Sequence, residues 1–268
     1  MKCTSCGSEN VVFMKFNGKW QCTDCGAAFN AAQSSSASSV LNSRRNNSAA
    51  AGTAASGSST KSASAQSEVE RLTEEIGESY KLAMQMASNG EFDKLEAVMD
   101  KMILQSEKLI AIDADSLFSS NHYCNVLSYV SRIRIVEGKY SDALQLLKRC
   151  SDVCSKFESD YADDYVYNSS LYQVCIGYFD LYKARNRLDA AKDYATLANE
   201  ACSRMLKASP SDELALGYSA EVLANIGNIE VLSGNVKQAV DFSIKSLDHC
   251  LKLFDTDSAT AYQAYGTY

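Results

Sequence analysis

Proline is nearly missing from this chain. Its one representative, Pro210 among 268 residues, leaves almost nothing to interrupt helices over residues 68–268 and favours an all-α body there. Long apolar runs are missing as well. No stretch reaches the roughly 18 apolar residues that a membrane span needs. The opening Met1-Lys2-Cys3-Thr4-Ser5-Cys6 has no apolar signal region, so the sequence points to a cytoplasmic protein. In that compartment the ten Cys are expected to be reduced or metal-bound, not paired as disulfides. Histidine is scarce: His122 and His249 are isolated residues, each expected at a surface or half-buried place. No nucleophile–base pair, phosphate loop or metallohydrolase pattern is present, and no enzymatic activity is expected.

Acidic residues are absent from residues 31–67, as are large apolar ones apart from Val40 and Leu41. Thirteen Ser and ten Ala fill these 37 positions. Such a segment buries too little to offset its ordering entropy and reads as a disordered linker. As a random coil it would span roughly 33 Å. It separates two unlike regions. Residues 1–67 carry a net charge of +4 and residues 68–268 a net −11. The acidic balance argues against a nucleic-acid surface on the larger region and for a protein partner.

In residues 1–30, Cys3-x2-Cys6 is followed after 15 residues by Cys22-x2-Cys25. Two such pairs complete a tetrahedral thiolate shell that suits Zn²⁺. Each pair ends in Gly, as Cys-Thr-Ser-Cys-Gly and Cys-Thr-Asp-Cys-Gly, where a tight turn brings backbone N–H groups toward the sulfurs. Val11 to Phe16 reads as a strand, Asn17-Gly18 as a hairpin turn and Lys19-Trp20-Gln21 as the return strand. A module this small depends on its metal to fold. The pattern resembles the zinc-ribbon family. That resemblance implies a small β-rich module with Cys3, Cys6, Cys22 and Cys25 as zinc ligands. Four thiolates leave no open position for catalysis. Zinc ribbons dock on proteins or bind nucleic acid; Phe16 and Trp20 suit base stacking but are wanted first for the tiny core. Nucleic acid is therefore the alternative partner here and not the favoured one.

The rest of the chain repeats. Gly138, in Glu137-Gly138-Lys139-Tyr140, reads as a helix stop followed by a new helix. The same turn recurs at Gly90, Asn186 and Gly234, each 48 residues from the next. Flanking apolar positions agree in that frame: Val126, Val174 and Val222 before the turn, then Ala143, Ala191 and Ala239 after it. A fixed period of this size signals a stacked array. Eight helices are expected, over 68–88, 91–111, 115–137, 140–157, 161–185, 188–207, 210–233 and 236–254, with Ser209-Pro210 starting the seventh.

Leu223-Ala224-Asn225-Ile226-Gly227 with Gly234-Asn235-Val236-Lys237-Gln238-Ala239 resembles the tetratricopeptide repeat (TPR) family, as does Val136 to Leu144. The resemblance implies a TPR-like α-solenoid of about four hairpins over residues 68–268. The usual period is about 34 residues, so the helices here are longer. The small residue expected in each first helix falls at Ala83, Ser131, Phe179 and Gly227. Phe179 is expected to spread the third hairpin. By the resemblance, the first helices line a groove for a protein or peptide through Lys81, Asn125, Tyr129, Arg132, Gln173, Lys183, Asn225 and Asn228. Met84, Ser128, Ile176, Asp180 and Val231 are placed beside them. Cys154, Cys202 and Cys250 share one frame position, filled by Ser106 in the first repeat, and read as small packing residues. Lys192, next to Ala191, is expected on the outer face. The Tyr262, Tyr265 and Tyr268 tail is left as a cap for the last repeat or a mobile end.

Overall fold

The computed structural model of the protein describes residues 2–3, 7, 11–14, 19–22, 28–29 and 63–255. The chain divides into two units at Glu70/Arg71. In the first, β1 (Val11–Met14), β2 (Lys19–Cys22) and β3 (Ala28–Phe29) form an antiparallel sheet in that order. β1 and β2 pair Val11 with Cys22 and Phe13 with Trp20, and β3 sets Phe29 opposite Trp20. The expected hairpin is there, although Asn17-Gly18 lies outside the described residues. β3 has two residues, too few to show an alternating pattern in the sequence.

Helix α1 (Ala63–Ser88) opens five residues inside the expected linker. Ala63, Ala65 and Gln66 are good helix formers, and Gln66 Nε2 donates to Glu70 one turn on, at 3.2 Å. Residues 31–62 of the expected linker lie outside the described set.

The second unit is all-α. It continues with α2 (Phe92–Ile112), α3 (Leu117–Val136), α4 (Tyr140–Cys154), α5 (Glu158–Tyr161), α6 (Tyr165–Ala184), α7 (Leu188–Ala208), α8 (Glu213–Leu232) and α9 (Val236–Asp255). No described helix is long and apolar enough to cross a membrane. The eight expected helices are present with shifted ends. The single turn α5 was not foreseen. It falls where α4 stops early and Asp164 opens α6, accepting from the N–H groups of Val166 and Tyr167 at 2.7 and 3.2 Å. α8 also starts later than Ser209-Pro210 suggested. Asp212 is its N-cap, accepting from Ala215 N at 2.8 Å, and Pro210 sits in the turn before it. Ser116 caps α3 in the same way.

The 48-residue frame is written into the backbone. Gly90, Gly138, Asn186 and Gly234 all have positive φ, at 72°, 76°, 56° and 80°. After each, an N–H reaches back to a carbonyl one turn into the preceding helix: Glu91 to Met86, Lys139 to Arg134, Arg187 to Tyr182 and Asn235 to Glu230, at 2.8–2.9 Å. This closure satisfies carbonyls that a helix end leaves open. The turns join α3 to α4, α6 to α7 and α8 to α9, and each pair packs along its length. Contacts 26 residues apart set the hairpin register: Cys124 with the Cys150 carbonyl, and Ser246 Oγ donating to Ala220 O at 2.7 Å.

Successive hairpins meet through two kinds of contact. First helices pack on first helices, α3 on α6, with Ser128 Oγ donating to the Gln173 carbonyl at 2.7 Å. Second helices meet the next first helix through one recurring pair of positions. Glu96 of α2 binds Arg134 of α3 at 2.5–2.6 Å. The same positions two repeats later, Lys192 of α7 and Glu230 of α8, pair at 2.6 Å with the charges exchanged. The intervening repeat has Leu144 and Tyr182 there. Lys192 therefore does not face open solvent as the sequence suggested. Its ammonium partners a carboxylate that is 2% exposed, which holds Glu230 below the ordinary carboxylate range through Lys192 and then Asn235.

α6 is the core of the array, burying Tyr167, Leu171, Tyr172, Tyr178, Phe179, Leu181 and Tyr182. At about 1.5–3 kcal/mol for each large apolar side chain buried, this one helix anchors the unit. Phe179 does not spread its hairpin: α6 and α7 pack as extensively as α8 and α9. The buried face of α7 is mostly small, with Ala190, Ala191, Ala195, Ala198, Ala201 and Cys202 beside Tyr194 and Met205. A separate close approach, to the preceding hairpin, is made at Gly177, where a Cβ would lie 2.4 Å from Leu147 Cδ2 of α4. Ala143, Ala191 and Ala239 are all buried, as are Cys154 and Cys202, with Cys250 half-buried. Burial raises the Cys154 and Cys202 thiols, as suits packing residues with no reactive thiolate.

Candidate functional site

First helices of the second unit share a polar and aromatic face. On α3 it consists of Asn125, Tyr129 and Arg132, spaced four and three apart so that they fall on one side of the helix. On α1, Tyr80 packs its ring against Tyr129 with centroids 4.7 Å apart. Arg132 reaches to two further helices. Its Nε donates to Asp180 of α6 at 2.7 Å, and a terminal nitrogen donates to Glu221 of α8 at 3.3 Å. Tyr172 of α6 donates its hydroxyl to the other Glu221 oxygen at 2.8 Å. The Tyr172 ring stacks on Tyr218 of α8, centroids 4.0 Å apart, and Gln173 donates to the Tyr218 hydroxyl at 2.8 Å.

Half-burial gives these groups shifted equilibria. Burial pulls Arg132 down, but Asp180 and Glu221 outweigh it and hold the guanidinium above its ordinary value. Burial raises Asp180 against the opposing pull of Arg132. Burial pushes Tyr80 and Tyr218 each up to about 12. All four tyrosines therefore stay protonated near neutrality and can donate. Two polar atoms on this face, Asn125 Oδ1 and Tyr129 Oη, are buried without a hydrogen-bond partner among the described residues. A buried polar group without a partner is costly, so both atoms are destabilising as they stand.

The sequence-derived groove is thus brought together in part. Arg132, Asp180 and Gln173 join one contact network, while Tyr129 pairs with Tyr80 and Asn125 lies on the same side of α3. Lys183 is exposed, its ammonium 5.4 Å from the Phe179 ring centroid. Asn225 and Asn228 continue the Tyr218–Glu221 side of α8 without entering the network. Lys81, Met84 and Val231 are exposed. Ile176 and Ser128 are buried and belong to the packing beneath the face. Tyr80, Tyr172, Tyr218 and Glu221 were missed. Their signal was present as offsets of 45 to 49 residues between partners, close to the repeat itself, because a side chain on one first helix meets nearly its own equivalent on the next.

A search against protein-family models finds no match for the chain, and no curated protein is significantly similar to it. What it does must therefore be argued from its own residues.

Of the four expected zinc ligands, Cys3 and Cys22 are described and both are buried, while Cys6 and Cys25 lie outside the described residues. Gly7, directly after Cys6, has a φ of 74° and donates its N–H to the Cys3 carbonyl at 2.9 Å. Gly7 thus takes the left-handed conformation that Gly allows. No group of three potential metal ligands lies together among the described residues.

Proposed function

We propose that the protein is a non-enzymatic, zinc-binding interaction protein of the cytoplasm. Its second unit is a TPR-like α-solenoid whose first helices take a protein or peptide partner. A zinc ribbon in residues 1–30, held by Cys3, Cys6, Cys22 and Cys25, is joined to it by a linker.

The observations that support partner binding are the Tyr80–Tyr129 ring pair and the run of contacts from Arg132 through Glu221 and Tyr172 to Tyr218. It offers flat aromatic surface and fixed hydrogen-bonding groups at low entropic cost, the combination that favours protein recognition. The unpartnered Asn125 Oδ1 and Tyr129 Oη support the reading, as groups that a partner's polar atoms would satisfy once the face shifts to admit them. Tyr129→Phe and Asn125→Ala remove those groups and keep the packing. Each is expected to weaken partner capture by the full chain about tenfold, the size of one or two lost hydrogen bonds. Lys148→Ala on α4 serves as the control. Capture unchanged in all three variants overturns the reading.

For zinc, the supporting observations are the left-handed Gly7, bonded to the Cys3 carbonyl, and the burial of both Cys3 and Cys22. A bound zinc would crosslink a module too small to hold a core, without open positions for chemistry. Elemental analysis of reduced, chelator-free protein is expected to give one zinc per chain, lost in Cys22→Ser.

A further inference from the structure

We propose that the cleft between α7, α8 and α9 binds a small monocarboxylate with an apolar body, its carboxylate held by Lys245 and His249. The repeat frame explains why a cleft lies here. One hairpin earlier the same interval lies between α4, α6 and α7, and tyrosines occupy it. Tyr178 of α6 stacks on Tyr194 of α7 with centroids 4.7 Å apart. Ser151 Oγ of α4 donates to the Tyr178 hydroxyl at 3.4 Å. One step of 48 residues puts Ile226 in place of Tyr178 and Ser219 in place of Leu171. Isoleucine is too short to cross the interval to Asn199, the equivalent of Ser151. In the last interval these two smaller side chains accompany a cleft of about 500 Å³, a size that suits a small molecule.

The lining divides by chemistry. Leu206 of α7, Leu223 of α8 and Phe242 of α9 form the apolar part, which suits a hydrocarbon body. His249 lines the cleft from α9. The same frame position one repeat earlier is the buried Ala201, so the imidazole is an addition to the pattern. Its Nδ1 is buried with no hydrogen-bond partner among the described residues, a cost that a turn of the ring toward a bound oxygen removes. Asp248, the carboxylate of the lining, is taken by Lys252 at 2.6 Å. Lys245 lies 5.5 Å from the Phe242 ring centroid and is in no ion pair among the described residues. α7 and α8 bring only uncharged residues to the lining, Asn199 and Ser203 among them. One ammonium without a counter-charge matches one carboxylate. The net −11 of residues 68–268 works against ligands with several negative charges. The cleft shares no residue with the polar face of the first helices, so the two proposals stand or fall separately.

The test is fluorine NMR of para-fluorophenylacetate with the full chain. The probe is expected to bind with a dissociation constant near or below about 1 mM, and its neutral amide about tenfold more weakly. Lys245→Met should weaken the acid about tenfold and leave the amide unchanged. His249→Phe keeps a ring in the lining and should also weaken the acid. Ile226→Tyr restores the tyrosine of the preceding interval and is expected to abolish binding. Ser219→Leu fills the cleft from a second position, so one filling variant with native helical circular dichroism suffices. No binding by the native chain at about 10 mM probe overturns the proposal. Equal binding of acid and amide overturns it too, as does binding that survives in a folded filling variant.

Discussion

Asn186 does with a side chain what glycine does in the other three turns. It is the one non-glycine residue at positive φ among those described, at 56°. A side chain in that region costs roughly 1–2 kcal/mol, less for Asn than for most residues. Asn186→Gly is therefore expected to stabilise the second unit by up to about 1 kcal/mol, and Gly138→Ala to destabilise it by about 1 kcal/mol. Urea unfolding followed by helical circular dichroism checks both. Lys192 carries more than its place beside Ala191 suggested. Lys192→Ala leaves the buried Glu230 carboxylate with the Asn235 amide at 2.8 Å as its remaining partner. A loss of about 1–2 kcal/mol is expected, partly recovered in the double variant Lys192→Ala with Glu230→Gln. A surface-like effect below about 0.5 kcal/mol would show that the pair contributes nothing.

At the scale of helices, the close contacts decide. Ala191 is buried where α7 meets α6, and Ala239 is its equivalent on α9. Ala191→Leu is expected to cost about 1–3 kcal/mol and to lower protection across α3 to α8. Ala239→Leu should open α8 and α9 and leave α3 to α6 protected, because damage in an array spreads through neighbours. Equal loss of protection over the whole unit in both variants would contradict this. These contacts were legible in the sequence because they repeat: the turn glycines, the alanines and the helix lengths all lie in one 48-residue frame. What did not repeat was not legible. Phe179 breaks the small-residue pattern, yet it is fully buried while α6 and α7 keep their packing. The same limit hid half of the polar face. Tyr172 looks like core by its neighbours, and its bond to Glu221 exists only once α6 and α8 are side by side.

For the whole molecule, acid should act in two stages. Burial lowers His122 and His249 below the ordinary 6.5. The unfolded chain then takes up protons below pH 6.5 that the folded chain refuses, so stability present above that pH is lost as pH falls through it. Glu96 is held low by Arg134, and Glu230 by Lys192, below the ordinary 4.5. Their contribution is complete above pH 4.5 and is lost as pH falls through the depressed values. Thermal unfolding is expected to show a first decline in Tm near pH 6, absent in His122→Asn with His249→Asn, and a steeper one below pH 4.5. A Tm that stays level from pH 7.5 to 5 would refute the first stage.

A chain of like modules risks one module taking another's seat while it folds. Here Glu96 faces Arg134 at one junction, and Lys192 faces Glu230 at another. If α2 settled on α8, Glu96 would meet Glu230. If α7 settled on α3, Lys192 would meet Arg134. Either error presses like charges together at a half-buried spot. The exchanged pair thus serves as an address: it lets each hairpin recognise its proper neighbour and rejects a misplaced one before the array closes.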